Sequence, residues 1–131
     1  VDSVSHKTVV KSPNLPPPAG PYSPGIRAGG FVFVSGQVAV DPKTGQVVGK
    51  TVEEQTERVL ENVKTIIESA GASLKDVVKV SVYLADISNF DKMNSVYRKY
   101  FPEEPPTRTT VQAGMARKEF LVEIDAIAYK P

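Results

Sequence analysis

Two segments near the end of the chain carry most of its chemistry: Pro106-Thr107-Arg108-Thr109-Thr110-Val111-Gln112 and Leu121-Val122-Glu123-Ile124-Asp125-Ala126. Both read as strands, along which side chains alternate between faces. Arg108, Thr110 and Gln112 therefore share one face, and Glu123 and Asp125 share one face of the neighbouring segment. If those faces coincide, a guanidinium and carboxylates stand together in an otherwise apolar sheet. Burying such groups costs desolvation energy, which suggests a site rather than a surface. Arginine's planar fork suits a substrate carboxylate through two parallel hydrogen bonds. A structural ion pair with Glu123 or Asp125 is the other reading of the same residues. Glu123 is either the partner in that pair or a general base holding a water. Asp125 points the same way, and spacing does not choose between them.

Three further places bear on a site. Asn94 is the polar exception on a stripe with Phe90, Tyr97 and Phe101; it either ties down a backbone group or lines a cavity. Tyr22, in Gly20-Pro21-Tyr22-Ser23-Pro24-Gly25, is a loop anchor or a phenol hung over a pocket. Ser35-Gly36-Gln37 interrupts a strand, where glycine permits a bulge or the close approach of a ligand.

The elements that must position these residues follow from pattern. Residues 1–25 form a proline-rich arm, with a short edge strand expected within Lys7 to Lys11. Phe31 to Val40 reads as a strand, Asp41-Pro42-Lys43-Thr44-Gly45 as a turn, and Gln46 to Val48 as its hairpin return. Thr51-Val52-Glu53-Glu54 fits a capping box. Val52, Val59, Leu60, Val63, Ile66, Ile67 and Ala70 then recur at helical spacing, with Gly71 as the stop. Val77 to Leu84 is a β-branched strand. A second helix runs from near Ser88 to Phe101, with Phe90, Met93, Tyr97 and Phe101 inward, and Pro102, Pro105 and Pro106 close it. The order β-β-α-β-α-β-β predicts an α/β (α+β) sandwich with two helices on one sheet face.

Sorting the strands by parity gives one nearly apolar set: Val32, Val34, Val38; Val78, Val80, Val82, Leu84; Thr109, Val111; Val122, Ile124, Ala126. It is expected under the helices. The other set mixes Phe31, Phe33, Tyr83 and Ile127 with Ser35, Gln37, Arg108, Thr110, Glu123 and Asp125. Two helices leave nothing to cover that mixed face. It reads as the seat of a partner subunit or as a half-solvated antiparallel sheet.

The totals narrow the function classes. At 131 residues the chain is expected to be one domain. Sixteen basic and fifteen acidic residues leave a net charge of +1, so no global field steers it to nucleic acid or lipid. There is no cysteine, hence no disulfide or thiolate. The lone His6 lies in the arm, which excludes a histidine metal cluster within one chain. No apolar run approaches the ~20 residues needed to span a bilayer. The expected setting is cytoplasmic, or organellar if a leader has been removed ahead of Val1.

In order along residues 8–130, these segments resemble the RidA (YjgF) family of reactive-intermediate deaminases. The resemblance rests on Gly20-Pro21-Tyr22-Ser23, Val34-Ser35-Gly36-Gln37 with Asp41-Pro42-Lys43-Thr44-Gly45, and Glu68-Ser69-Ala70-Gly71. It continues through Val77-Val78-Lys79-Val80, Leu84-Ala85-Asp86, Met93-Asn94-Ser95-Val96-Tyr97, Pro106-Thr107-Arg108 and Val122-Glu123-Ile124-Asp125-Ala126-Ile127-Ala128. It implies one chorismate-mutase-like domain, a mixed six-stranded sheet carrying two helices, and a homotrimer whose sheets form a barrel with clefts between subunits. It implies hydrolysis of 2-imino acids and their enamine tautomers, such as 2-aminoacrylate and 2-iminopropionate, to 2-keto acids and ammonia, without cofactor or metal. On this resemblance Arg108 grips the carboxylate and Glu123 orients water, while Tyr22, Ser35, Gly36, Asn94 and Thr110 line the substrate pocket. Asp125 is then structural. Thr109-Thr110 stand where the family has Ser-Cys, so no thiol chemistry is expected, and Ala113 to Glu119 departs from the family pattern beside the pocket. The competing classes are a non-catalytic small-carboxylate binder or chaperone, and a ribonuclease or translation inhibitor. The last sits poorly with a near-neutral chain lacking a basic-aromatic track.

Overall fold

The computed structural model describes residues 6–131; the first five residues of the expected arm lie outside it. The elements are β1 (Thr8–Val9), β2 (Gly25–Ala28), β3 (Phe31–Gln37), α1 (Val52–Ser69), β4 (Val77–Leu84), α2 (Phe90–Tyr100), β5 (Thr107–Gln112) and β6 (Val122–Tyr129). One mixed six-stranded sheet runs β1-β2-β3-β6-β4-β5. Among the described residues only the β4–β5 pair is parallel, because α2 carries the chain back across the sheet between them.

α1 forms where the capping box predicts it. The Thr51 hydroxyl accepts from the Glu54 amide at 3.2 Å, and the Glu54 carboxylate accepts from the Thr51 amide at 3.2 Å. Accepting from the Lys50 amide at 3.0 Å and from the Thr51 amide holds the Glu54 carboxyl below its usual range. The helix ends as Gly71 takes φ +87°, letting the Ala72 amide reach back to the Ile67 carbonyl at 3.1 Å. Leu60, Val63, Ile66 and Ile67 are fully buried over β3 and β6. Each such side chain contributes about 1.5–3 kcal/mol.

Three side-chain ties fix the loops around the sheet. Gln55, 1% exposed, donates to the Gly49 and Glu119 carbonyls at 3.1 and 2.8 Å and accepts from the Leu121 amide at 2.8 Å. Asn62 donates to the Val38 and Val40 carbonyls at 3.3 and 2.9 Å. Tyr100 of α2 donates to Glu61 of α1 at 2.8 Å.

The sheet differs from the sequence expectation in its details. Gly25–Ala28 is an additional strand, too short to show alternation. The expected hairpin return at Gln46 to Val48 is reduced to an isolated bridge between Val40 and Val47. A β-bulge lies between Val34 and Gln37, so the phase of the strand reverses there. Gln37 and Ala39 turn inward, and Val38 turns outward. A second irregularity between Val77 and Lys79 leaves Val78 46% exposed, not under a helix. Phe90 likewise is 39% exposed, at the rim of α2.

The phase of β5 is also opposite to expectation. Val80 pairs with Arg108 and Val82 with Thr110, so Arg108 and Thr110 share the face of Val80 and Val82, beneath α2. Thr109 and Val111 are exposed on the other side. Alternation groups residues within one strand, but only register tells which group faces the core.

Candidate active site

The sequence-predicted residues fall into two clusters, one on each side of the sheet. On the open face, β6 presents Glu123 next to Tyr83 of β4. Glu123 lines a cavity of about 800 Å³ with Tyr22, Ser35, Gly36, Arg117 and Phe120. The bulge opens this space. An alanine β-carbon at Gly36 would overlap the Glu123 carboxylate, so the bare glycine is what lets that side chain lie against β3. The Ser35 hydroxyl donates to the Ser23 carbonyl at 2.6 Å, and the Ser35 amide to the Pro24 carbonyl at 3.0 Å. Both bonds tie the bulge to the loop that carries Tyr22. The Tyr22 hydroxyl accepts from the Ala19 amide at 3.1 Å, yet the ring is 49% exposed at the cavity mouth. Tyr22 therefore both anchors its loop and faces the pocket.

Burial, then the nearby charge of Asp125, raises the Glu123 pKa above the ordinary carboxylate value. Among the described residues no hydrogen bond or ion pair holds Glu123. Asp125 instead accepts from the Tyr83 hydroxyl at 3.3 Å, and its charge pushes that phenol's pKa up. Asp125 thus has a partner, and Glu123 has none.

On the helix side, Arg108 lies beneath α2 at the sheet edge. Its guanidinium carbon stands 4.6 Å from the Tyr97 ring centre and 5.4 Å from that of Phe90, with Met93 Sδ 4.0 Å from Nη1. No carboxylate pairs with it; the one salt bridge among the described residues joins Arg117 and Glu119 at 2.8 Å. The structural pairing of Arg108 with Glu123 or Asp125 is therefore excluded within the chain, since they occupy opposite faces. Asn94, Tyr97 and Arg108 share the lining of a cleft of about 340 Å³. Asn94 is half-buried and ties down no backbone group among the described residues. The Thr110 hydroxyl is buried without a partner. Gln112 serves structure: its carbonyl oxygen accepts from the Ile87 amide at 2.9 Å.

Sequence reasoning placed Tyr97 only on a helix stripe and, while it set the segment holding Arg117 beside the pocket, did not link Phe120 to it. The signal for Tyr97 was its spacing, one turn from both Met93 and Asn94. Among the described residues no His, Cys, Asp or Glu cluster could hold a metal ion, and no helix is long and apolar enough to cross a membrane.

A family model described as endoribonuclease L-PSP matches residues 12–130. The chain belongs to the YjgF/RidA family. It is 52% identical over 124 residues to a RutC family protein of Pyrococcus horikoshii, covering 95% of this chain and 98% of that one. It is 41% identical over 122 residues to the chloroplastic Reactive Intermediate Deaminase A of Arabidopsis thaliana, covering 93% of this chain and 65% of that one. Among solved structures, Escherichia coli TdcF with bound serine superposes with a TM-score of 0.87 at 37% identity, covering 95% of this chain and 99% of that one. The α+β architecture of this YjgF/RidA member is therefore that of its relatives.

Proposed function

We propose that the chain hydrolyses 2-imino acids and their enamine tautomers, such as 2-iminopropionate and 2-aminoacrylate, to 2-keto acids and ammonia. The observation that carries this reading is a complementary pair of unsatisfied charges. Among the described residues Arg108 is a cation without an anion, and Glu123 is a half-buried carboxylate without a donor. A small substrate with a carboxylate at one end and an electrophilic carbon at the other needs both. Deaminase names among the relatives support the same reading.

In the reaction Arg108 holds the substrate carboxylate through its two parallel N–H groups. The enamine takes a proton at its terminal carbon to give the imine. Water held by Glu123 adds to the C=N carbon, its oxygen forming the new C–O bond while the proton it loses passes through Glu123 to nitrogen. The carbinolamine hydroxyl then passes its proton to nitrogen and the C–N bond breaks, releasing ammonia as the C=O bond of the keto acid forms. Water enters and ammonia leaves, so no redox partner is needed. Fixed placement of carboxylate and water supplies most of the rate.

Arg108 and Glu123 serve one substrate only if two chains contribute. The reading therefore includes a homotrimer with sites in the clefts between subunits. The uncovered aromatic face supports it: Phe31, Phe33 and Tyr129 are each more than 40% exposed, with Phe31 and Tyr129 ring centres 4.9 Å apart. A self-complementary or ring-closing partner copy would bury them.

Mixing variants tests both parts. Arg108→Ala and Glu123→Ala chains, each inactive alone, are unfolded together and refolded at equal amounts, then assayed for keto acid and ammonia from 2-iminopropionate. With sites shared between neighbours, roughly a quarter of them regain both residues. No recovery in a mixed oligomer would overturn the shared site, and an inert wild-type protein would overturn the activity. The ribonuclease reading would need the +1 chain to bind RNA in a salt-dependent way, which the same preparation can check.

A further inference from the structure

Beneath α2, two hydroxyls and one guanidinium lack, among the described residues, the partners such groups ordinarily find, apart from the contact of the guanidinium with Met93 Sδ and its attraction to the Tyr97 hydroxyl. The Arg108 guanidinium meets rings and a thioether rather than an anion. The Tyr97 hydroxyl and the Thr110 hydroxyl are both buried without a hydrogen-bond partner. Buried hydroxyls are nearly always satisfied, because an unpaired one forfeits its hydration. The Tyr97 hydroxyl close to this cation, with Thr110 two residues along the same strand face, suits a ligand with several acceptor positions.

The arrangement is fixed before any ligand arrives. Met93 is fully buried and Tyr97 is 6% exposed one turn later, so α2 cannot turn Tyr97 away. The Tyr97 ring stacks on the guanidinium at 4.6 Å, which aims the fork as well as stabilising its charge. Thr110 stands two residues beyond Arg108 on the same strand face. A carboxylate offers about four lone-pair positions and no donor. A bidentate arginine uses two, leaving the others for hydroxyl donors.

We propose that Tyr97 contacts substrate, its hydroxyl donating to the carboxylate that Arg108 grips, with the Thr110 hydroxyl as the adjoining donor. The ligand class is a small monocarboxylate: one cation and two neutral donors match a single negative charge. This deepens the imine-deaminase reading and rests on it for the identity of the acid. Burial raises the Tyr97 pKa to about 12 against the charge of Arg108 and its attraction to the phenol oxygen, so the phenol keeps its proton at neutral pH and that proton remains free to be donated.

Tyr97→Phe keeps the ring over Arg108 and removes only the hydroxyl. With the whole protein, pyruvate binding is followed by NMR titration, turnover of 2-iminopropionate by keto-acid release, and stability by urea unfolding. The expected result is a rise of roughly 10- to 100-fold in the pyruvate Kd and the substrate KM, with kcat within about twofold. Ligand-free stability should be unchanged or higher, since an unsatisfied group has been removed. A structural hydroxyl would give the reverse, lowered stability with an unchanged Kd, and would overturn the assignment. Thr110→Val supplies an independent variant of nearly the same shape, with a weaker pyruvate Kd expected; an unchanged Kd in both overturns the cradle. If the wild-type protein neither binds pyruvate nor turns over the imine, the deaminase reading fails. If wild type does both and Tyr97→Phe matches it, this inference alone fails.

Discussion

The Glu123 carboxylate lies in the space that a side chain at Gly36 would occupy. The bulge after Val34 carries this glycine past β6, so the backbone irregularity and the carboxylate position are one feature. Gly36→Ala should therefore act on chemistry more than on folding. The atom in conflict is the free end of a flexible side chain, which swings aside at a cost below about 1 kcal/mol. Displacing the water-holding group by ~1 Å lowers kcat on the order of 100-fold. Urea unfolding and steady-state kinetics check the two halves; a large loss of stability with full kcat would contradict this account.

Glu123 also sets a pH dependence. Its native pKa is raised, by burial first and by Asp125 second. The folded protein thus holds this proton more tightly than the unfolded chain, whose glutamate titrates near ~4.3. The resulting stability is fully present below that unfolded value and is lost as pH rises through the native pKa. Glu123→Gln should abolish this slope. Activity runs in the opposite sense, because only the carboxylate can accept water's proton, so kcat rises across the same window. Unfolding midpoints and kcat from pH 4 to 8 test both, and Asp125→Asn should move the kinetic midpoint downward. A midpoint unmoved by Asp125→Asn would show that the second charge has no influence.

The local elements of this fold were legible because their signals are local. The Thr51–Glu54 box, the α1 stripe and the turn to positive φ at Gly71 need only a few neighbouring residues. The grouping of Arg108 with Thr110, and of Glu123 with Asp125, was legible for the same reason. Their placement on opposite faces was not. It follows from the pairing of Val80 with Arg108 and of Tyr83 with Glu123, which strands distant in sequence decide on assembly. The Ser35-Gly36 interruption allowed either a bulge or the close approach of a ligand, and the consequence of the bulge, Gln37 turned inward, depends on how β6 meets it. Tyr97 was visible as an apolar-stripe residue, while the lack of a partner for its hydroxyl is a property of packing alone.

Gln55 connects the helix to the site. It is almost fully buried, and it bonds Gly49, Glu119 and Leu121, the last just two residues ahead of Glu123. Gln55→Leu keeps much of the volume but strands two carbonyls and one amide. The expected loss is about 2–4 kcal/mol, large for one side chain because the groups left behind are buried. Hydrogen exchange at the Leu121 amide should accelerate beyond the global change, as the start of β6 loosens. Stability within about 0.5 kcal/mol of wild type would mean that water replaces the glutamine without penalty.

Arg108 offers the sharpest separation of charge from geometry. Among the described residues it has ring contacts and no ion pair, and such contacts contribute on the order of 0.5–2 kcal/mol. Arg108→Ala should therefore cost no more than that in stability. Removing the partner of a desolvated substrate carboxylate costs more, roughly 2–5 kcal/mol, or about 30- to 5000-fold in kcat/KM. Arg108→Lys restores the positive charge but neither the fork nor the flat face that stacks on Tyr97. It should recover only a minor part of the lost kcat/KM. Comparing the three proteins on 2-iminopropionate decides the point. Full recovery by lysine would mean that a point charge suffices and that the rings beneath α2 do not aim it. Failure of lysine with retained stability would place the requirement in the planar, two-pronged grip.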